Sequence, residues 1–275
     1  MELYEAIKRR RSIRNYAREG LSEGELDNLE KRLNKNRSFY PETSTSARLV
    51  RNGRKLQEDI SGILADYGKV EAPHYLVLTC EDSEKGYTEL GYRNEFEVLT
   101  LAEGDIGSCW IGKGFSEQEL KQYVRIPPEQ SAGTLLAFGP LPEGEKLYEI
   151  QEPKRKDLDH FMVESNPENL DEETLEVIDC LRRAPSALNG QPWRVSVEGK
   201  TIHLYLKKRN RVTRMVLKDL WLMNRVDAGI GLCHLEVGGR KLWGEAELDI
   251  VEHPKVESLT YVGSLINQGI GKKST

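Results

Sequence analysis

The sequence predicts an α+β fold in which two halves of one chain carry similar orders of helices and strands. Residues 74–79 and 133–138 are short apolar runs, which is typical of buried strands. Residues 216–237 carry apolar side chains on almost every side of a helix, which predicts a helix buried in a core. A charged, proline-containing connection over residues 143–169 separates the two sets of elements.

The elements of the first half follow from local signals. Ser22 and Glu25 have the spacing of a capping box, which begins an amphipathic helix. Ser116 and Glu119 cap a shorter helix in the same way, and it should end before Pro127 because proline cannot continue a helix. The other predicted elements are helices over residues 3–9 and 87–103 and the strands over 74–79 and 133–138.

The second half opens with a predicted helix over residues 171–183, whose apolar side chains share one face. Residues 195–206 predict a hairpin, and residues 259–262 predict a closing strand after the buried helix. No flexible glycine–serine linker separates the halves. We assign them as residues 1–160 and 161–275 and expect them to form one integrated unit.

Composition and charge exclude several classes of function. The chain has 275 residues, 31% of them charged, and its net charge of −5 does not favour nucleic acid as a partner. No run approaches the ~18 apolar residues of a membrane span, and the N-terminus lacks a signal pattern, so we expect a cytoplasmic protein without membrane contact. The four cysteines include no C-x-x-C pair, so no zinc site or disulfide framework is predicted, and Cys109 is interpreted as a small core residue.

Three motifs carry the evidence for function. Residues 183–193 read Arg-Ala-Pro-Ser-Ala-Leu-Asn-Gly-Gln-Pro-Trp, a turn-rich loop that can present a hydroxyl, two amides and backbone N–H groups to a planar polar ligand. Residues 10–16 read Arg-Arg-Ser-Ile-Arg-Asn-Tyr and supply cations and a hydroxyl that suit a phosphate. The loop over residues 104–115 carries Gly112 and Gly114, which let the backbone approach a flat ring without Cβ clashes.

Together these motifs resemble those of the FMN-dependent nitroreductase family. Family members are usually homodimers whose long central helices pack across the interface, and each FMN takes contacts from both subunits. In an ordinary member the phosphate motif and the ring loop lie close together in sequence, whereas here Ser12 and Ser186 belong to different halves. Residues 36–52 hold no copy of the ring loop, and the second half opens without an Arg-x-Ser-x-Arg block.

The resemblance therefore implies a nitroreductase-like α+β fold made of two fused half-units. Such a tandem duplication would form an intramolecular pseudo-dimer with central helices and antiparallel-rich sheets. Because the halves have lost complementary motifs, one composite FMN site would survive and its symmetry mate would be lost. A chain of this kind is expected to be active as a monomer.

The resemblance assigns FMN contacts to both halves. Arg10 and Arg14 would bind the phosphate bidentately, with Ser12 adding its hydroxyl group. Asn189 would reach the pyrimidine edge or the ribityl chain, and Gln191 would support the loop or touch the ring. The residues assigned to the phosphate of FMN are Arg10, Arg11, Ser12, Arg14, Lys154 and Lys156. A glycine-rich group, whose N–H groups would reach flavin N5 and O4, consists of Gly112, Lys113 and Gly114. The ring-loop group consists of Pro185, Ser186, Ala187, Asn189 and Gln191.

Each group also has a structural interpretation. The basic block and the segment around Lys154 are alternatively solvated charge clusters. The glycine-rich group is alternatively a glycine-rich helix terminus, and the ring loop is alternatively a structural turn. Lys113 departs from the family pattern, in which a small residue is common there. Residues 227–231 resemble the matching helix of the other half and are interpreted as packing rather than chemistry.

The implied activity is two-electron transfer from NAD(P)H through FMN to a nitroaromatic, a quinone or a similar small acceptor. Such chemistry needs no catalytic nucleophile, general base or metal, because the flavin carries the electrons. The alternative from another class is a non-catalytic flavin-binding or structural protein that kept the fold. A nucleic-acid protein using residues 8–11 is a third interpretation, which the lack of an accompanying aromatic platform disfavours.

Overall fold

The chain forms two compact units, Met1–Gln151 and Glu152–Thr275. The division lies before the predicted boundary at residue 160, because the segment that starts at Lys154 bonds to the second unit. Lys156 Nζ donates to the Gly190 carbonyl at 3.0 Å. The computed structural model describes residues 2–35, 37–60, 70–112, 114–147, 154–208 and 217–270.

The described part of the first unit alternates helices and strands. Its helices are α1 (Leu3–Arg9), α2 (Glu23–Arg32), α3 (Gly53–Asp59), α4 (Glu84–Glu103) and α5 (Glu117–Leu120). Its strands are β1 (Thr45–Val50), β2 (His74–Cys80), β3 (Ile106–Ile111) and β4 (Ser131–Pro140). The capping box predicted at Ser22 and Glu25 is confirmed, as is the cap at Ser116.

The strands of the first unit form one antiparallel sheet in the order β1-β2-β4-β3. The two predicted strands, β2 and β4, are its buried centre, with Leu76 opposite Leu136. The strands β1 and β3 lie at the edges and were not predicted from sequence. In β1 the exposed Arg48 interrupts the apolar pattern, and in β3 Gly107 and Ser108 do so.

Helix α4 is buried along almost its whole length, although it carries several acidic residues. Glu89 accepts hydrogen bonds from the N–H groups of Phe39 and Tyr40 at 3.0 and 2.8 Å. Glu95 accepts one from the indole N–H of Trp110 at 2.7 Å. Buried carboxylates are tolerated where donors satisfy them, so these bonds fix α4 against the loop before β1 and against β3.

The described part of the second unit repeats this plan. Its helices are α6 (Glu172–Arg183) and α7 (Lys218–Leu242), and its strands are β5 (Trp193–Glu198), β6 (Thr201–Lys207), β7 (Ala246–Asp249) and β8 (Leu259–Asn267). Short 3-10 turns cover Leu158–His160, Pro167–Asn169, Ala187–Asn189 and Gln268–Ile270. The predicted first helix, hairpin, buried helix and closing strand of this half are confirmed.

The second sheet has the order β5-β6-β8-β7, which is the strand order of the first sheet. In each unit the long helix, α4 or α7, connects the second strand to the third. Helix α7 packs on α6 and on its own sheet. Trp193 at the start of β5 is fully buried, so it anchors the end of the ring loop in the core.

The described residues contain neither a helix suited to span a membrane nor a cluster of metal-ligand side chains. None of their helices combines the length and the apolar character that crossing a membrane requires. No group of three or more His, Cys, Asp or Glu side chains among them is placed to hold a metal ion.

Candidate functional site

The phosphate motif, residues 10–16, contacts the edge strand β3 of the first unit through Ser12 and Ile13. Ile13 donates its N–H to the Ser108 carbonyl at 2.9 Å, and Ser12 forms an isolated parallel bridge with Ser108. Gly107 permits this close approach, because a Cβ there would lie 3.0 Å from the Ile13 side chain. The motif therefore leaves the end of α1 and is fixed to the sheet by its backbone.

The three arginines of the motif have different surroundings. The side chain of Arg10 is only 4% exposed, and its Nε lies 3.9 Å from Oε1 of the fully buried Glu95. Arg11 is exposed and lies 3.4 Å from Glu145. Arg14 is exposed, and none of the described residues forms an ion pair with it. Arg14 is thus the arginine most available to a phosphate, whereas Arg10 also neutralises a buried carboxylate.

Cys109 lies on β3 next to the motif. Burial raises the pKa of its thiol, and the positive charges of Arg14 and Arg10 and a hydrogen bond from Ser12 only partly oppose that effect. The thiol is therefore protonated at neutral pH, and a reactive thiolate is not expected. Its burial agrees with its interpretation as a small core residue.

The glycine-rich segment is partly strand and partly loop. Its residues 106–111 form β3, which pairs with β4, so this part of the expected loop belongs to the sheet. The loop begins at Gly112, and Gly114 has a φ of +145°, which residues with a side chain rarely adopt. Lys113 lies outside the described residues. The first unit thus brings the phosphate motif and the glycine-rich segment together.

The ring loop, residues 185–191, contains a tight turn with a strained backbone. Leu188, Asn189 and Gln191 have φ values of +53°, +52° and +49°. Left-handed backbone is uncommon outside glycine and asparagine, and each such residue costs on the order of 1–3 kcal/mol. Strain of this kind persists only where the surrounding structure fixes it, and it is concentrated at binding and active sites.

Hydrogen bonds within the second unit fix the loop. The N–H of Gln191 donates to Ser186 Oγ at 3.0 Å, and its side-chain amide donates to the Asn189 carbonyl at 2.9 Å. The Asn189 side chain donates to the Lys154 carbonyl at 2.9 Å and accepts from Arg155 Nη1 at 2.8 Å. Gln191 therefore supports the loop. The Asn189 side chain, which was expected to reach the flavin, instead bonds to the basic segment, residues 154–156.

A buried carboxyl group on α7 holds the loop from the core side. Asp227 Oδ1 accepts the N–H of Ala187 at 3.0 Å, and Asp227 is only 3% exposed. Its Oδ2 has no hydrogen-bond partner within the described residues. Burial raises the pKa of Asp227 to about 8, opposed only partly by the Ala187 N–H, so the carboxyl is largely protonated at neutral pH.

Asp227 is the residue of this site that the sequence interpretation missed. It belongs to residues 227–231, which were interpreted as packing. The available signal was an aspartate inside a helix that is apolar on all sides, because a carboxyl group is rarely buried unless a partner requires it. Its partner, Ala187, is forty residues earlier and becomes apparent only in the folded chain.

The loop leaves hydrogen-bond donors for a ligand. Within the described residues, the N–H groups of Ser186 and Leu188 donate no hydrogen bond. The Leu188 side chain is 71% exposed although it is apolar, and Asn189 and Gly190 are exposed beside it. An exposed apolar group next to open backbone donors suits a flat heteroaromatic ring with a polar edge.

The basic segment lies in the second unit, against the ring loop. The N–H of Lys156 donates to Gln191 Oε1 at 2.9 Å, and Arg155 Nη2 donates to the Arg183 carbonyl at 3.2 Å. Pro153, which precedes Lys154 in the predicted segment, lies outside the described residues. The segment therefore shapes the ring loop, and its role at the phosphate end of FMN stays a prediction.

The two assembled groups have the chemistry that FMN requires. The first unit presents the exposed Arg14 beside Ser12, and a dianionic phosphate needs such donors. The second unit presents the open N–H groups of Ser186 and Leu188, and the isoalloxazine ring has carbonyl and nitrogen acceptors for them. Each group therefore has donors of the kind that one end of FMN requires.

Comparisons with known proteins identify the family and the fold. The model of the family described as "Putative TM nitroreductase" matches residues 2–239. The crystal structure of a putative nitroreductase from Thermotoga maritima MSB8 is 21% identical, covers 97% of this chain and 94% of its own, and has a TM-score of 0.62, which shows a shared fold. No curated protein sequence matches the chain.

Two further solved structures match about half of this chain. An FMN-dependent nitroreductase from Clostridium difficile R20291 is 20% identical over 52% of this chain and 90% of its own, with a TM-score of 0.42. A nitroreductase with bound FMN from Bacteroides fragilis NCTC 9343 is 19% identical over 56% and 96%, with a TM-score of 0.41. Because the family model spans most of the sequence, the chain belongs to the family of putative TM nitroreductases, with the nitroreductase-like α+β fold of two antiparallel sheets and helices.

Proposed function

We propose that the protein is an FMN-dependent oxidoreductase that passes two electrons from NAD(P)H to a nitroaromatic, a quinone or a similar small acceptor. The observation that carries the proposal is the ring loop. Its sequence resembles the family's flavin loop, its backbone is held in a strained conformation, and it keeps the N–H groups of Ser186 and Leu188 open. FMN would supply the two-electron chemistry when bound.

In this proposal the residues of the chain bind and orient the cofactor. Arg14 and Ser12 bind the phosphate, and the charges of Arg10, Arg11 and the basic segment favour it electrostatically. The ring loop contacts the isoalloxazine through its backbone, because its side-chain amides are used within the second unit. No residue needs to act as a nucleophile or a general base.

We propose one FMN per chain and a monomeric protein. The shared strand order of the two sheets supports a tandem duplication, yet each unit carries only part of the family's motifs. Protein purified without added cofactor is expected to hold FMN at a ratio near one per chain, measured by flavin absorbance against protein mass. A ratio near two would contradict this assignment. Light scattering should give a mass near 31.4 kDa.

Turnover separates the enzyme from a non-catalytic flavin protein. The flavin-loaded protein is expected to oxidise NADH or NADPH steadily when a quinone or a nitroaromatic compound is supplied, as followed by absorbance of the reduced nicotinamide. A yellow protein that oxidises neither would instead be a flavin-binding protein without this activity.

A pair of matched variants connects turnover to the ring loop. Leu188→Gln is expected to raise KM for the acceptor or to release flavin, because Leu188 is the exposed apolar side chain of the loop. Ile250→Gln makes a comparable change at another exposed apolar residue, outside the loop, and should leave turnover unchanged. Equal effects of the two changes would remove the ring loop from the proposed site.

A further inference from the structure

Four basic side chains of the second unit form a cationic cluster, which consists of Lys156, His160, Arg194 and Lys207. Arg194 Nη2 lies 2.9 Å from His160 Nε2. Arg194 is opposite Tyr205 in the pairing of β5 with β6, so it shares a sheet face with Lys207, two residues beyond Tyr205. Lys156 lies near both residues. Its pKa is lowered first by burial and then by the positive charges of Arg194 and Lys207.

Among the described residues, no acidic side chain neutralises this positive charge. Arg194 is only 7% exposed, yet its polar contacts within the described residues are the Trp193 carbonyl and His160. No carboxylate in that part of the chain forms an ion pair with Arg194, Lys156 or Lys207. A buried arginine is normally paired, because removing a charge from water without a partner is costly. An anion bound at the cluster would supply the negative charge that the described residues lack.

The protonation state of His160 also favours a bound anion. A guanidinium group can only donate, so the Nε2 atom of His160 must accept and carries no proton. Burial first, and then the charges of Arg194, Lys156 and Lys207, lower the pKa of His160. The ring is therefore neutral and leaves its Nδ1–H as one more donor.

The donor set selects the kind of anion. Arg194 offers a planar fork that suits phosphate oxygens, and Lys156 and Lys207 add two point charges. Three cations exceed what a single carboxylate would balance, whereas a phosphate monoester carries close to two negative charges at neutral pH. The cluster also adjoins the ring loop, because Lys156 Nζ donates to the Gly190 carbonyl at 3.0 Å.

We propose that the cationic cluster binds a phosphate ester group. Under the proposed function, on which this identification of the ligand rests, the phosphate is the 2′-phosphate of NADPH, because Arg14 and Ser12 are assigned to the phosphate of FMN. Binding of the phosphate group itself depends only on the cluster and can be measured with inorganic phosphate.

The first experiment is a calorimetric titration of the protein with inorganic phosphate at low ionic strength. Lys207→Ala is expected to weaken phosphate binding about tenfold, the effect of losing one charge-assisted bond. Lys208→Ala removes the same charge from the next exposed residue, which lies outside the cluster, and should leave binding unchanged. Arg14→Ala, tested in the same way, separates any binding at the phosphate motif from binding at the cluster.

A second variant tests the buried member of the cluster. Arg194→Gln keeps a donor for the Trp193 carbonyl but removes the charge, so it should abolish the binding that Lys207→Ala weakens. Urea unfolding establishes that the variant is folded. If it is not, Lys207→Arg provides the test, because it keeps the charge that Lys207→Ala removes and should bind phosphate as the wild type does.

The source of the phosphate is decided by comparing the protein with and without bound flavin. Binding in both forms, with a raised KM for NADPH in Lys207→Ala, supports the identification, and NADH serves as the comparison without a 2′-phosphate. Phosphate binding at the cluster in the flavin-free protein alone, together with a higher FMN dissociation constant in Lys207→Ala, would place the FMN phosphate at the cluster and overturn the identification.

The proposal is overturned if wild-type protein and Lys207→Ala bind inorganic phosphate equally. The identification of NADPH is overturned, and the anion site is left standing, if Lys207→Ala weakens phosphate binding but leaves the KM for NADPH unchanged. The phosphate titration needs no turnover. A protein that binds phosphate at the cluster but oxidises no NAD(P)H would therefore contradict the proposed function and leave the anion site standing.

Discussion

Arg14→Ala is expected to weaken FMN binding about 10- to 100-fold, because each hydrogen bond to a charged group contributes about 1.5–3 kcal/mol. Arg14 is exposed and forms no ion pair within the described residues, so the change should leave the free energy of unfolding of the flavin-free protein nearly unchanged. Flavin fluorescence on dilution measures the first quantity, and urea unfolding measures the second.

The matched control for this prediction is Arg18→Ala. Arg18 is also exposed and lies four residues after Arg14, outside the phosphate motif. The control removes the same charge, so it separates a specific phosphate contact from a general loss of positive potential. Equal flavin affinities in the two variants would remove Arg14 from the phosphate site.

Arg10 is expected to behave differently from Arg14. Its guanidinium is buried and lies beside the fully buried Glu95, so Arg10→Ala leaves a buried carboxylate without that positive charge. Breaking a buried charge pair costs stability as well as any ligand contact. Sequence alone treats the two arginines as equivalent members of one motif, and only the packing against α4 distinguishes them.

The predictable part of the fold is the part with strong local signals. The strands β2 and β4 are continuous apolar runs because their side chains are buried on both faces of the sheet. The capping pair of Ser22 and Glu25 fixes the start of α2. Among the edge strands, β5 was predicted through its hairpin with β6, whereas β1, β3 and β7 lack a continuous apolar run. Their identity depends on pairing with a distant strand, which no local pattern specifies.

The candidate site could likewise be predicted only in part. The motifs could be recognised from their residue types, but the strained turn at Leu188 and Gln191 could not, because neither residue prefers a left-handed backbone. Tertiary bonds impose it, from Asp227 on α7 and from the basic segment. The cationic cluster could likewise not be predicted from the sequence, because Arg194 and Lys207 share a sheet face only through the pairing of β5 with β6.

The pH dependence of stability is expected to reveal the state of Asp227. Its pKa is about 8 in the folded protein and near 3.8 when exposed, so between these values the folded chain keeps a proton that the unfolded chain loses. Stability falls as pH rises wherever the folded state binds more protons. Asp227 should therefore lower the free energy of unfolding by about 1.4 kcal/mol for each pH unit across that window.

Asp227→Asn removes this dependence while keeping an oxygen that accepts the Ala187 N–H. Its new amide N–H groups cost a roughly constant amount, so the informative quantity is the difference between variant and wild type as a function of pH. Urea unfolding of the flavin-free protein should show that difference shifting in favour of the variant from about pH 4 to about pH 8 and then levelling off. Asp219→Asn makes the same chemical change at an exposed position of α7 and is the matched control.

Asp227→Ala separates the charge from the contact. It also abolishes the pH dependence, but it leaves the Ala187 N–H without its acceptor, so the strained turn loses one of the bonds that fix it. Flavin should then dissociate faster from Asp227→Ala than from Asp227→Asn. A difference between Asp227→Asn and wild type that stays constant from pH 4 to pH 8 would show that the carboxyl group ionises as freely in the fold as in the unfolded chain. Equal flavin release from the two variants would show that Asp227 does not hold the ring loop.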